Sequence, residues 1–414
     1  MKVAYYSPFP PERTGIAEYS ALLLPALERR IDVVAVERGR TNPPKGTDVC
    51  LYHIGNNPDA HDWIVEALRN RPGVVVLHDF VLHHLVAGLT LGRGDGPGYL
   101  GAMEREAGAV GRLLAHGVID GVVAPLWEIR PEDFPLATLV LEHAAKPGGG
   151  LIVHSSYVEV RARASGYDGR IWRIPHPAWP QPEVAPAPHA GNPLIGCFGN
   201  INTSKRIPQL LEAFAHVRSR HSEARLLLVG QDAPGFALTR KLQELAIDGV
   251  EWCGYVDEAM LWSYMSACDV IVSLRSPTMG ETSGSTIRAL ILGKPTIVSD
   301  VGWFAELPDD VALKIPADAR EIENLATVLE LLASSEAARH SMHVAALEYV
   351  RREHDLERVA DAYAGALEEA AGGGHVEASV LGDLARAAAE VGIEPQGIEE
   401  RELIRQVTDA RLVG

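Results

Sequence analysis

The sequence predicts an α/β protein with two doubly wound domains that face a central cleft, followed by a helical C-terminal extension. Two observations predict this fold. Short apolar, β-branched runs alternate with longer amphipathic stretches in both halves of the chain, which is typical of parallel sheets covered by helices on both faces. The segment 176–193 holds six prolines in eighteen residues, and these disfavour both helix and sheet and so indicate a domain boundary.

The first domain is predicted for residues 1–178. Its strands are predicted at 2–7, 31–37, 48–54, 73–79, 150–156 and 170–177. Helices are expected over 15–30 and 59–70. Residues 86–147 are mostly helical and too long for a simple crossover, so we expect a helical insertion beside a functional site.

The second, Rossmann-like domain repeats the alternation over residues 192–352. Its strands are predicted at 194–200, 224–230, 250–254, 268–274, 295–300 and 311–316. Residues 353–414 are predicted to form the C-terminal helices. The first of these is expected to cross back to the N-domain near 355–371, and the glycines at 372–374 are expected to interrupt the helical segment. Because ligands of such sheets bind at the carboxyl ends of the strands, the site is expected in the cleft between the domains.

Composition limits the partners. The 414 residues include 38 Lys and Arg against 55 Asp and Glu, a formal charge of −17. An acidic surface repels phosphate backbones and anionic lipid, so we expect no nucleic acid and at most peripheral membrane contact. The four cysteines lack metal-ligand spacing, and no run reaches the roughly 20 apolar residues of a membrane span, so a cytoplasmic protein is expected.

Three glycine-containing loops could present backbone N–H groups to an anion. The first ends at Gly15, which also suits an ordinary tight turn. The second, 198–206, carries Lys205 and Arg206, although charged helix starts are common on surfaces. The third leads into a short helix predicted at about 285–292, with N-cap candidates around Gly284 and a C-cap at Gly293, for which ordinary capping is the simpler explanation.

Histidines cluster at the end of the fourth predicted strand. His78 and Asp79 follow the strand and should reach the cleft, while His83 and His84 fall on the next helix. A metal site could combine His78, Asp79 and His83, but buried structural histidines are the more common explanation for the helical pair. Asp79 could simply cap that helix. No pair of carboxylates is placed together by the sequence pattern.

Four motifs in order and spacing resemble the retaining glycosyltransferases of family 4, the group 1 glycosyltransferases, which have the GT-B fold. They are "GCFGNINTSKRIPQLLEAF", "RLLLVGQD", "VEWCGYVDEAMLWSYMSACDVIVSLR" and "ETSGSTIRALILGKPTIVSDVGWFAEL". The resemblance covers nearly all of 1–370. It implies a nucleotide-sugar donor, UDP- or GDP-linked, held by the second domain and an acceptor held by the first, with no cofactor and no metal.

The resemblance also implies functional residues. The residues at or beside the family's catalytic positions are His78, where the family's histidine contacts the transferred sugar, together with Lys205 and Glu281. The family's donor-binding positions fall on or beside a larger set: Gly15, Asn200, Lys205, Tyr255, Val256, Glu281, Gly284, Ser285 and Arg288.

The chain departs from the family at one cation and two carboxylates. The diphosphate-binding arginine is replaced by Asn200, and the second of the paired glutamates by Arg288, while Glu281 lies one residue after the position of the first. Three roles are open for Arg288: to grip the diphosphate in place of the missing arginine, to donate to the ribose, or to pair with an acid such as Glu281 or Glu306. We favour the first.

The predicted function is transfer of a sugar, with retention of configuration, from a nucleotide sugar to a glycan, lipid-linked or small-molecule acceptor in glycan biosynthesis. The alternative is an inactive nucleotide-sugar-binding protein on the same scaffold, favoured by the two replaced side chains. A dinucleotide-dependent dehydrogenase or epimerase is a third hypothesis, but neither first strand is followed by the G-x-G-x-x-G that it requires.

Overall fold

Each half of the chain folds around one six-stranded parallel sheet. The computed structural model describes residues 1–189, 191–233 and 235–390, without the side chains of 373–385 and 387–390. The strand orders are β2-β1-β3-β4-β5-β6 and β12-β11-β10-β7-β8-β9. Helices flank both sheets, so the predicted pair of doubly wound domains is confirmed.

The first sheet is built from strands that are short and mostly buried. They are β1 (Lys2–Tyr6), β2 (Asp32–Ala35), β3 (Val49–Ile54), β4 (Val74–Leu77), β5 (Gly150–Val153) and β6 (Ile171–Arg173). Its helices are α1 (Gly15–Glu28), α2 (Pro58–Asn70), α3 (His83–Leu89), α4 (Gly96–Ile119), α5 (Leu126–Ile129), α6 (Thr138–Ala144) and α7 (Ser156–Ala164). Strands β3, β4 and β5 are buried along their whole length because helices cover both faces, which explains their continuous apolar runs.

The second sheet has the same construction. Its strands are β7 (Leu194–Phe198), β8 (Arg225–Val229), β9 (Val250–Gly254), β10 (Val270–Ser273), β11 (Thr296–Ser299) and β12 (Ala312–Ile315). The helices are α8 (Ile207–Arg220), α9 (Leu238–Leu245), α10 (Glu258–Ala267), α11 (Gly284–Ile291), α12 (Glu321–Ser334), α13 (Glu336–Glu353) and α14 (Leu356–Glu390). Helix α11 lies one residue earlier than predicted, because the Ser283 hydroxyl caps it by accepting from the Thr286 N–H at 3.2 Å.

Helix α14 connects the end of the chain to the first domain. It packs against α1, where the hydroxyls of Tyr19 and Tyr363 lie 2.6 Å apart in the core and Arg30 binds Asp361 at 2.6 Å. The linker and the start of α14 are tied by the Ala178 N–H, which donates to the His354 carbonyl at 2.7 Å.

The prediction that the three glycines at 372–374 interrupt this helix is wrong. Helix α14 continues through them to Glu390. Each glycine costs about 1 kcal/mol relative to alanine, and the surrounding Ala-, Leu- and Glu-rich sequence outweighs that cost. The rest of the predicted C-terminal helices, 391–414, lies outside the described residues.

Both sheets have one point where the strand order reverses, and these points determine where a ligand can bind. The reversal lies between β1 and β3 in the first sheet and between β7 and β10 in the second. The loops that follow such a pair of strands run in opposite directions and leave a crevice at the carboxyl edge of the sheet. The loops after β1, β3, β7 and β10 therefore line the cleft.

Candidate functional site

Two cations meet at the reversal point of the second sheet. Lys205 ends the loop after β7 and is only 4% exposed, with its ammonium donating to the Phe198 carbonyl. Arg275 follows β10, and its charge acts on Lys205. Sequence reasoning missed Arg275, although a charged residue immediately after the apolar run of a central strand was a usable signal. The neighbouring Arg206 instead binds the buried carboxylate of Glu321.

The surroundings of Lys205 favour loss of its proton. Burial, and to a smaller extent the positive charge of Arg275, lower the pKa of Lys205 to about 8. An anion arriving in the cleft would be stabilised by both cations and would in turn favour the charged lysine. The pair is therefore suited to a ligand with several negative charges.

Glu281 is fixed in the loop before α11. One carboxylate oxygen lies 2.5 Å from Arg275 Nε. The other accepts from the Met279 N–H at 2.7 Å and from the Thr278 hydroxyl at 3.0 Å. With both oxygens engaged, Glu281 holds Arg275 and the loop in position and is poorly placed to act as a free base.

The end of β4 brings His78 and Asp79 to the same cleft. The two residues after them bind the second domain, since the N–H groups of Phe80 and Val81 both donate to the Met279 carbonyl, at 2.7 and 2.9 Å. His78 is buried, at 9% exposure, and burial lowers its pKa well below the ordinary value. It is therefore a neutral imidazole at physiological pH.

Asp79 does not cap α3, contrary to one expectation. Its Oδ2 accepts from the Asn56 N–H at 2.8 Å, in the loop after β3. Burial, and to a smaller extent the nearby charge of Glu281, raise the pKa of Asp79 to about 7. The structure thus brings together two carboxylates that the sequence pattern did not pair, because they belong to different domains.

The metal hypothesis finds no support in the geometry. Within the part of the chain that the structure describes, no three His, Cys, Asp or Glu side chains are arranged to hold a metal ion. His83 is buried and its Nε2 lies 2.8 Å from the Tyr99 hydroxyl, while His84 is exposed. Both histidines therefore fit the alternative explanation, in which they have a structural role and bind no metal.

The loop that ends at Gly15 contacts the second domain. Gly15 begins α1, which Thr14 caps by accepting from the Ala17 N–H at 3.0 Å. The guanidinium of the preceding Arg13 lies 4.7 Å from the ring centre of Tyr255, so the first loop contacts the end of β9 in the second domain. Val256 is partly buried and packs against a core cluster of the second domain.

Helix α11 begins with Gly284 and Ser285, both partly exposed. Because the first N–H groups of a helix have no partner within it, these two residues can donate to an anion. Asn200, at the position where the resemblance predicts an arginine, is exposed just after β7.

Arg288 is engaged with carboxylates from two other helices. Its Nη2 lies 2.8 Å from Glu18 on α1 and 3.5 Å from Glu258 on α10. The guanidinium also stacks 3.6 Å from the ring centre of Trp179 in the linker, and its side chain is only 5% exposed. An ion pair was one of the three predicted roles, but the predicted partners are wrong: Glu281 binds Arg275, and Glu306 accepts from the N–H groups at the start of α7.

Replacing Arg288 with Ala should lower the thermal unfolding temperature and leave nucleoside diphosphate affinity within about 3-fold, because its charge already serves the contact between domains. Differential scanning calorimetry and isothermal titration calorimetry measure the two effects. Glu18→Gln is the matched control, since it removes the same ion pair from the other side. A 10- to 100-fold loss of diphosphate affinity in Arg288→Ala alone would instead support the diphosphate role predicted from the sequence.

Two Rossmann-like domains whose strand ends face each other across a cleft define the GT-B fold. Residues 192–334 match the family model described as Glycosyl transferases group 1. Among curated proteins, none matches the chain.

Solved structures share this fold. Anabaena HepE in complex with UDP and glucose superposes with a TM-score of 0.60 at 15% identity, covering 89% of this chain and 100% of HepE. Sucrose-phosphate synthase from Thermosynechococcus elongatus superposes with a TM-score of 0.57 at 20% identity, covering 87% of this chain and 96% of the synthase. With Staphylococcus aureus TarM, at 15% identity and a TM-score of 0.49, the match covers 56% of this chain and less than half of TarM, 46%.

No helix within the described residues has both the length and the apolar character needed to cross a membrane.

Proposed function

We propose that this protein is a glycosyltransferase that moves a sugar from a nucleotide-sugar donor to an acceptor hydroxyl. The observation that carries the proposal is the meeting of Lys205 and Arg275 at the reversal point of the second sheet, opposite His78. The match of the second domain to group 1 glycosyltransferases and the shared fold with HepE, which was solved with UDP and glucose, support it.

The leaving group of this reaction is a nucleoside diphosphate, whose negative charge grows as the glycosidic bond breaks. Lys205 and Arg275 would stabilise that charge, together with the N–H groups of Gly284 and Ser285. In this scheme Arg275 supplies the positive charge that is missing at position 200, where the chain has Asn200. Because these groups can neutralise the diphosphate, the reaction would need no metal and no cofactor.

The remaining contacts belong to the base, the sugar and the acceptor. The base would lie against Tyr255 and Val256 at the end of β9, and the sugar beneath Gly15 and against His78. Glu281 would act through Arg275, whose guanidinium it holds. The acceptor, a glycan, a lipid-linked sugar or a small molecule, would enter from the first domain beside the insertion at 86–147.

The finer assignments follow from the resemblance to family 4. They are retention of anomeric configuration, a hexosyl donor linked to UDP or GDP, and a place in glycan biosynthesis in the cytoplasm.

A panel of UDP- and GDP-linked sugars tests the proposal, with release of free nucleotide as the measured product. We expect release with at least one donor, faster when an acceptor is present, and NMR of the first product should show the donor's anomeric configuration. Tight nucleotide-sugar binding without any release would support the inactive binding protein instead. Absence of both binding and release across the panel would overturn the proposal.

A further inference from the structure

Beneath the proposed sugar site lies a pair of buried histidines. His53, at the end of β3, has its Nδ1 3.0 Å from Nε2 of His78. The ring of His53 stacks on Tyr5 with centroids 4.6 Å apart, and the ring of His78 meets the edge of Tyr19 at 4.7 Å. His53 is fully buried, so the aromatic neighbours hold both rings in one orientation. The hydrogen bond between the two rings is therefore a fixed feature of the first domain.

The two rings share one proton in this bond. Burial lowers the pKa of His53 and of His78 well below the ordinary value, and neighbouring imidazoles lower both further, so each ring is neutral. A neutral imidazole carries a proton on only one nitrogen. Either His53 donates from Nδ1, or His78 donates from Nε2.

The two arrangements differ at the far nitrogen of His53. Its Nε2 is buried and has no hydrogen-bond partner. If His78 donated, this nitrogen would carry a buried N–H with no acceptor, which proteins avoid more strictly than an unpaired acceptor. If His53 donates, Nε2 is only an unpaired acceptor. The arrangement in which His53 donates is therefore favoured, and it puts the proton of His78 on Nδ1.

We propose that His53 is a positioning residue, which holds His78 in the tautomer protonated at Nδ1 so that His78 offers an N–H donor to an oxygen of the transferred sugar. The proposal rests on the proposed function for the sugar contact. Its physical basis is that His53 occupies Nε2, so Nδ1 is the nitrogen left for a ligand. A donor whose proton is already in place needs no rearrangement when the sugar arrives.

Two substitutions at His53 separate a positioning role from a packing role. His53→Phe keeps a ring of similar shape and loses the donor, whereas His53→Asn keeps an N–H at the position of Nδ1 and loses volume. We expect His53→Phe to lower kcat by about 10-fold and His53→Asn by only about 2- to 3-fold, with UDP affinity within about 2-fold in both. Equal losses in the two variants, or a larger loss in the asparagine variant, would show that His53 acts by packing.

A second measurement does not depend on activity or on the stability of a variant. Nitrogen-15 NMR of histidine-labelled wild-type protein reports which ring nitrogen of His78 carries the proton, with the signal assigned by its loss in His78→Gln. We expect the proton on Nδ1, and a proton on Nε2 would overturn the proposal. Absence of turnover in the wild type would count against the proposed function, while the NMR result would still decide the role of His53.

Discussion

Replacing Lys205 with methionine should weaken nucleoside diphosphate binding by about 10- to 100-fold and leave nucleoside binding unchanged, because only the charge that meets the diphosphate is lost. Methionine suits the buried site, where Lys205 is 4% exposed. The kcat/KM for sugar transfer should fall by about 10²- to 10³-fold, since the cation acts on charge that develops in the transition state. Calorimetric titration with UDP and with uridine measures the difference in affinity.

The same lysine makes the affinity depend on pH. Its pKa in the free protein is lowered to about 8, so its charge is lost as the pH rises through that value. A bound diphosphate favours the charged form, so binding near pH 8 should take up a proton, and affinity should fall between about pH 7 and pH 9. Lys205→Met should bind the diphosphate weakly, and its affinity should change little between these pH values. If the variant kept the wild-type dependence of affinity on pH, Lys205 would be excluded as the source of that dependence.

Replacing His78 with alanine should lower kcat by about 100-fold while UDP affinity stays within about 2-fold. His78 would contact the transferred sugar and thus act on the transition state, whereas the nucleotide is held by the second domain. Steady-state kinetics and UDP titration give the two numbers. His84→Ala is a matched control, because His84 is exposed on the following helix.

Loss of UDP affinity equal to the loss of rate would contradict this assignment. It would mean that His78 maintains the fold of the cleft through its contacts with His53 and Tyr19. Thermal unfolding of His78→Ala separates this outcome from a defect in catalysis.

The sheets were predictable from sequence because burial on both faces leaves a local signal. Runs such as Val74–Leu77 and Leu194–Phe198 are continuous apolar segments, and the structure gives each one as a buried parallel strand. Helix α11 was predicted to within one residue, because its capping serine and the glycine after it are local features as well. The position of Lys205 after a first strand was predictable for the same reason.

The contacts across the cleft were not predictable, because they depend on how two separately folded domains meet. Arg288 and Glu18 are 270 residues apart in the chain, and no spacing rule joins them. Asp79 and Glu281 likewise come near each other only because the two domains meet. Arg275 was overlooked because the family resemblance directed attention to Asn200, whereas the reversal of strand order between β7 and β10 is visible only in the folded sheet.

The return of α14 to the first domain has a consequence for the order in which the chain becomes folded during synthesis. Domains made on the ribosome generally fold from the N-terminus onward. Here the first domain lacks part of its core until Tyr363 and Leu367 have emerged, because both are fully buried there beside residues of β1 and α1. The second domain has by then received all of its strands. The half that is translated first is therefore the half that is completed last, and its uncovered α1 face is a surface that a nascent chain must keep from aggregating.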